Sequence, residues 1–166
     1  MIAAFPNDTK GLQVVYDLDY GQQSDRIHRQ TQSWNSANGS YIEEVAPART
    51  FSLQEEAAAL QASGMCVHLS PSDVLVIGER GPIDNEYRFE NEPVRHKILD
   101  MIGDLYLAGA PIQCRIVASR SGHSLNRLMC LAIVEQNEQN KRTKVMQEGC
   151  TMDVRDIQRI MPHRYP

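Results

Sequence analysis

The chain has 166 residues, 42% hydrophobic and 23% charged, with a formal net charge of −4 at pH 7. That length holds one domain with a real core, with or without short extensions, and the mild acidity gives no support for a nucleic-acid or anionic-membrane partner. No apolar run reaches transmembrane length, residues 1–10 lack the pattern of a signal peptide, and four widely spaced cysteines without a CxxC pair suit reduced thiols in a cytoplasmic protein.

Residues 12–20 (LQVVYDLDY) are rich in β-branched and aromatic residues and predict a strand. Residues 21–40 are polar, and WNSANGS at 34–40 predicts loop or turn. A short strand is expected at 41–45, then a helix over 53–63 with Ser52 as N-cap, Glu55 as its N3 partner and Gly64 as the stop. Residues 65–69 and 74–78 read as strands around a Ser-Pro-Ser-Asp turn. A Gly81-Pro82 turn and an acidic stretch lead to Pro93, a favourable first residue for a helix that Gly109 ends. Residues 112–119 predict a further strand, and Ser121-Gly122-His123-Ser124 a turn feeding a helix over 125–135. Residues 136–151 have the composition of a solvated linker, and 152–161 make one short helical pattern. Mixed helices and strands of this kind indicate an α+β domain built as a two-layer α/β sandwich.

The helix after Pro93 divides into two faces. Val94, Ile98, Met101, Ile102 and Leu105 form an apolar stripe, while His96, Asp100 and Asp104 follow at i, i+4 and i+8 on the other side with Lys97 close by. An imidazole and a carboxylate four residues apart can ligate one divalent metal ion, with the second carboxylate orienting what sits there; a solvated face of charge pairs has the same spacing. Of the other histidines, His28 in a polar stretch and His68 in an apolar one are expected to be structural. His123, in a glycine-containing turn at a helix start, is either a general acid or base or a loop residue. Thr50, beside Arg49 and Phe51, is a helix-start residue or a hydroxyl donor to a polarised oxygen.

Three blocks, PARTF (47–51), YRFENEPVRHKILDMIGDLYLAG (87–109) and SRSGHSLN (119–126), resemble the second half of UDP-3-O-acyl-N-acetylglucosamine deacetylase, the zinc enzyme of bacterial lipid A synthesis. They occur in family order and spacing, over about residues 11–135. The resemblance implies a second domain, residues 1–135, with a small βαβ insertion that forms the passage for the acyl chain. It implies that His96 and Asp100 are two of three protein ligands to Zn2+, and that Lys97, Arg120 and Phe51 lie against the substrate, UDP-3-O-acyl-N-acetylglucosamine. It also implies that His123 protonates the leaving amine or stabilises the developing charge, that Asp104 pairs with it, and that Thr50 helps hold the oxyanion. A carboxylate beside His123 would favour the imidazolium such a step needs.

The departures from the family pattern define a further expectation. The family's third zinc ligand and water-activating glutamate come from a His-Glu motif in a first domain, and residues 1–46 contain nothing resembling it. Residues 65–71 (MCVHLSP) replace a glycine-rich stretch, which puts the acyl-chain preference in question. Residues 152–166 (MDVRDIQRIMPHRYP) resemble the opening of a 3-hydroxyacyl-[acyl-carrier-protein] dehydratase, as in bifunctional deacetylase/dehydratase fusions. The expectation is therefore a bacterial, cytoplasmic half-enzyme cut from a longer protein at both ends, inactive without its first domain. The alternatives are a non-catalytic nucleotide-sugar or acyl-binding module, and a half that assembles with a separately encoded first domain.

Overall fold

The computed structural model describes residues 1–149, with side chains described to Arg142. The expected dehydratase-like segment at 152–166, with its short helical pattern, lies outside the described residues. The chain divides into a unit of residues 1–130 and a second beginning at Leu131.

The first unit is α+β, with two sheets. The larger contains β1 (Ile2–Phe5), β2 (Leu12–Leu18), β3 (Gln30–Asn35) and β7 (Cys114–Ser119) in the order β1-β7-β2-β3. Strand β2 runs parallel to β7, pairing Val14 with Ile116 and Tyr16 with Ala118, and antiparallel to β3, pairing Val14 with Trp34. Alternation along β2 sends Val14, Tyr16 and Leu18 to one face, where all three are buried with Ile116 and Ala118. Helix α3 (Glu92–Tyr106) packs on β2 and β3 through Val94, Ile98, Met101 and Leu105, four of the five residues of the stripe its sequence predicts, while Ile102 is only half-buried.

The smaller sheet is the βαβ insertion. Strand β4 (Thr50–Leu53) leads directly into α2 (Gln54–Ala62), which returns to β5 (Val74–Gly78), parallel to β4 with Thr50 opposite Val74. The two-residue strand β6 (Gly81–Pro82) closes a hairpin on β5. Gly81 takes φ +111°, a conformation that a side chain would strain.

Several expectations are corrected. Residues 41–45 form not a strand but a single helical turn, α1 (Tyr41–Glu44): Ser40 Oγ accepts from Glu43 N and Glu44 Oε1 accepts from Ser40 N. This reciprocal capping overrides the β propensity of Tyr41 and Ile42. Residues 65–69 are turns rather than a strand, with Cys66 at φ +57° and the Met65 and Val67 side chains in solvent. His68 therefore stands in a turn region. Helix α2 starts one residue later than expected, and Glu56, not Glu55, closes back on the Leu53 amide (3.1 Å), while Glu55 pairs with Arg26. Strand β3 lies inside the polar stretch 21–40, and only its last two residues, Trp34 and Asn35, fall within the segment read as loop or turn. Its outward positions are polar and only Trp34 is buried, so no hydrophobic alternation announces it. Strand β1 is a further element that the sequence pattern does not announce. Helix α4 (His123–Gly149) starts at His123 and continues through most of the expected linker at 136–151. Its Gln, Glu and Lys residues are good helix formers despite their polarity.

One buried ion pair ties the insertion to α3. Glu92 Oε1 accepts from Arg49 N (3.0 Å) and Arg49 Nε (2.9 Å), and Oε2 accepts from Arg49 Nη2 (3.0 Å) and Arg88 N (2.7 Å). Arg49 also donates to Glu86 O (2.7 Å), and Arg88 to Pro47 O (2.8 Å). Burial pushes the Glu92 carboxyl upward, but these donors outweigh it and hold the group below its usual range. Glu92→Gln should destabilise the fold at neutral pH by about 3–5 kcal/mol in urea unfolding, because it leaves Arg49 buried without a counter-charge. A carboxyl held low in the folded state stabilises fully above its unfolded value of 4.5, and that stability is lost as pH falls through the folded value. The gap between wild type and variant should therefore narrow on acidification below pH 4.5; a gap independent of pH would refute the assignment.

Candidate functional site

The polar face of α3 carries two titratable pairs, each held by a different neighbour. At the N-terminal end, His96 Nε2 lies 3.1 Å from Asp100 Oδ1, and Lys97 Nζ 2.6 Å from Asp100 Oδ2. His96 Nδ1 is 3.2 Å from the Ala48 carbonyl oxygen. A carbonyl and a carboxylate only accept, so Nδ1 donates to Ala48 and Nε2 is the nitrogen that donates to Asp100. Asp100 is largely buried. Desolvation pushes its carboxyl up, but hydrogen bonds from His96 and Lys97 prevail and hold it at about 2. It is a carboxylate at neutral pH.

The second pair starts at Asp104, one turn beyond Asp100 and about 6 Å further along the axis from the rise of 1.5 Å per residue. His123 Nδ1 stands 2.8 Å from Asp104 Oδ2, with the imidazole more than half exposed and Asp104 nearly covered. Asn126 Nδ2 donates to the same carboxylate oxygen (3.0 Å). The loop before α4 is pinned by Tyr16, whose hydroxyl donates to the Ser121 carbonyl oxygen from the sheet core. Burial raises the Tyr16 pKa, so the group remains a protonated donor. Arg120 in this loop adopts φ +49°, a sparsely populated conformation for a residue with a side chain.

The remaining expected site residues fall around these pairs. The Phe51 ring meets the His96 imidazole edge to face at 6.1 Å and the Tyr20 ring at 5.8 Å. Thr50 precedes it at the start of β4, with its side chain exposed. Lys97 and Arg120 line one cleft of about 310 Å3 with Tyr20, Asp19 and Gln23. Both cations are already paired, Lys97 with Asp100 and Arg120 with Asp19 (2.7 Å). The insertion encloses a second, more apolar cleft of about 320 Å3, lined by Thr50, Phe51, Leu60, Leu69, Val74 and Val76. Thr50 and Phe51 thus join that cleft to the His96 end of α3.

The donors fit two positions of a metal site. His96 Nε2 and Asp100 Oδ1 converge, with Nδ1 anchored on the Ala48 carbonyl behind the ring, the arrangement that orients an imidazole for ligation through Nε2. Among the described residues, no group of three or more His, Cys, Asp or Glu side chains is placed to hold a metal ion. Sequence reasoning missed Asn126, Ser121 and Tyr16, although the first two lie inside the SRSGHSLN block. It also missed the Ala48 carbonyl, which no side-chain pattern reveals.

The chain matches the family model described as LpxC, UDP-3-O-acyl N-acetylglycosamine deacetylase, over residues 1–135. It is 42% identical over 135 residues to the UDP-3-O-acyl-N-acetylglucosamine deacetylase of Chlamydia abortus, covering 81% of this chain and 47% of that protein. The Chlamydia felis deacetylase is 41% identical over 81% of this chain and 48% of its own length. The bifunctional enzyme LpxC/FabZ of Chlorobaculum tepidum is 30% identical over 99% of this chain and 41% of that protein. The chain spans just under half the length of these curated relatives. With its family model covering most of the chain, the protein belongs to the UDP-3-O-acyl-N-acetylglucosamine deacetylase family.

Proposed function

We propose that this chain supplies the second half of a zinc-dependent amide hydrolase that removes the N-acetyl group from UDP-3-O-acyl-N-acetylglucosamine in bacterial lipid A biosynthesis. The observation that carries the reading is the placement of the His96–Asp100 and Asp104–His123 pairs along one face of α3, in a chain of the deacetylase family. His96 Nε2 and Asp100 Oδ1 would hold the metal, which supplies Lewis acidity and an activated water when bound. His123, oriented by Asp104, gives a proton to the departing nitrogen. Thr50 donates a hydrogen bond to the carbonyl oxygen as charge develops on it. Phe51 and the apolar cleft of the insertion take the acyl chain, and Lys97 and Arg120 face the anionic diphosphate.

The third metal ligand and the base that activates water belong, in this reading, to the half of the relatives that this chain does not span. The isolated chain is then a half-site with little activity. The same reading places the reaction in the bacterial cytoplasm; among the described residues, no helix is long and apolar enough to cross a membrane. Residues 152–166 begin a dehydratase segment, a proposal supported by the alignment to the bifunctional Chlorobaculum tepidum enzyme over 99% of this chain.

Zinc titration of the purified chain by calorimetry tests the ligand assignment. Weak binding is expected, and His96→Ala should abolish it, while a variant that takes up zinc as the wild type does would rule out the ligand role. A nucleotide-sugar or acyl-binding module would instead bind its ligand regardless of chelator. The electrostatics are open to a separate measurement. Carbon-13 titration of the metal-free chain should place the Asp100 midpoint at about 2. Lys97→Met should raise that midpoint, because an ionised carboxylate loses its nearest cation; an unchanged value would show that Lys97 does not hold the group.

A further inference from the structure

Behind the exposed His123 imidazole lies a fully connected polar chain in the protein interior. Tyr16 and Asn126 are wholly buried and Ser121 nearly so. Ser121 Oγ donates to Asn126 Oδ1 (2.7 Å), Asn126 Nδ2 donates to Asp104 Oδ2 (3.0 Å), and that oxygen also faces His123 Nδ1 (2.8 Å). An ionised carboxylate only accepts, so the amide must present its NH2 to Asp104 and its carbonyl to Ser121. The flip of Asn126 is therefore dictated at the Asp104 end, and the Ser121 hydroxyl, which can donate or accept, answers the amide oxygen that this leaves. The imidazole makes no other side-chain hydrogen bond among the described residues; its orientation depends on a single acceptor oxygen.

A carboxylate on α3 can rotate about its terminal torsion, and that torsion has broad wells. Only a fixed donor keeps Oδ2 aimed at the ring. The Asn126 amide is that donor, and its backbone is fixed in the first turn of α4 by the bond from its N–H to Gly122 O (3.0 Å). Its cost of burial is met because both its oxygen and its nitrogen are satisfied.

We propose that Asn126 is a positioning residue for His123: its amide, held by Ser121, keeps the Asp104 carboxylate on Nδ1–H, so that Nε2 is the nitrogen that carries the proton and releases it to the substrate. This rests on the reading of His123 as the proton donor. Asn126 acts through Asp104 and touches no reacting atom. Without it the carboxylate rotates, the ring loses its partner, and the neutral imidazole reverts to the Nε2–H tautomer preferred by unconstrained histidine.

The test is the tautomer of His123 in the purified chain, read from long-range nitrogen-15 spectra at about pH 9, where imidazoles are neutral. The wild type should be predominantly Nδ1–H. Asn126→Leu, which preserves bulk and removes both hydrogen bonds, should shift His123 to predominantly Nε2–H with the rest of the spectrum native. A folded leucine variant that keeps Nδ1–H overturns the proposal, as does a wild type that is Nε2–H. Should the leucine variant not fold, Ser121→Ala removes only the hydroxyl that sets the amide. It should raise the Nε2–H fraction measurably, and an unchanged fraction there overturns the proposal equally. The readout needs neither zinc nor turnover, so a failed zinc assignment leaves the tautomer result standing, and a failed tautomer shift leaves the zinc reading untouched.

Discussion

The structure depends on the burial of Glu92 against Arg49. A carboxylate and a guanidinium taken out of water together are tolerated only where every oxygen is answered, and both Glu92 oxygens receive two donors each. What the pair does is geometric. Glu92 opens α3 and Arg49 stands immediately before β4, so their union fixes where the insertion leaves the main sheet. Ala48, one residue earlier, is thereby placed with its carbonyl at His96, and Phe51, two residues later, with its ring against the same imidazole. Both constraints on the histidine from outside its own helix thus trace to one short segment of backbone.

That dependence explains what can and cannot be read from the chain. The stripe of Val94, Ile98, Met101 and Leu105 is legible because helical periodicity is a local property, and the polar face opposite it follows at once. Strand β2 is legible because its alternation is local too. Strand β3 is not, because it is exposed on one side and its pairing with β2 is settled by tertiary contact. Residues 41–45 depart from their strand-like composition because capping by Ser40 and Glu44 outranks β propensity in so short a segment. Glu92 looks like an ordinary acidic residue in the first turn of a helix; only the fold brings Arg49, 43 positions away, onto it. In the site, the i, i+4, i+8 spacing is plain in the sequence, but that spacing suits a solvated face as well as a ligand set. The supporting groups behind His96 and His123 are not visible in that spacing at all.

The site's charges are balanced in pairs before any ligand arrives. Lys97 is held by Asp100 and Arg120 by Asp19, whose own carboxyl is kept low chiefly by the Gly21 amide and then by Arg120. The cleft that both cations line is therefore no bare basic patch. An anion entering it has to draw each cation partly from a carboxylate. For Lys97 this is coupled to the neighbouring pair, because a divalent metal ion on Asp100 would weaken that residue's hold on the ammonium group. Metal and anion would then reinforce one another through a shared carboxylate, without any movement of the backbone.

Helix α3 works as a ruler between two independently braced ends. The His96 end is braced from the insertion, by the Ala48 carbonyl and the Phe51 ring; the Asp104 end is braced from α4, by Asn126. Because each brace arises from a different part of the chain, the separation between the pairs is fixed only by the helix, whose rise per residue barely varies. Displacing either brace would turn a side chain without altering the spacing. The Val94, Ile98, Met101 and Leu105 stripe has the complementary task, since it sets the rotation of the helix on the sheet and hence the direction in which both pairs point. The apolar face determines where the polar face looks, and the braces determine how each of its groups is held.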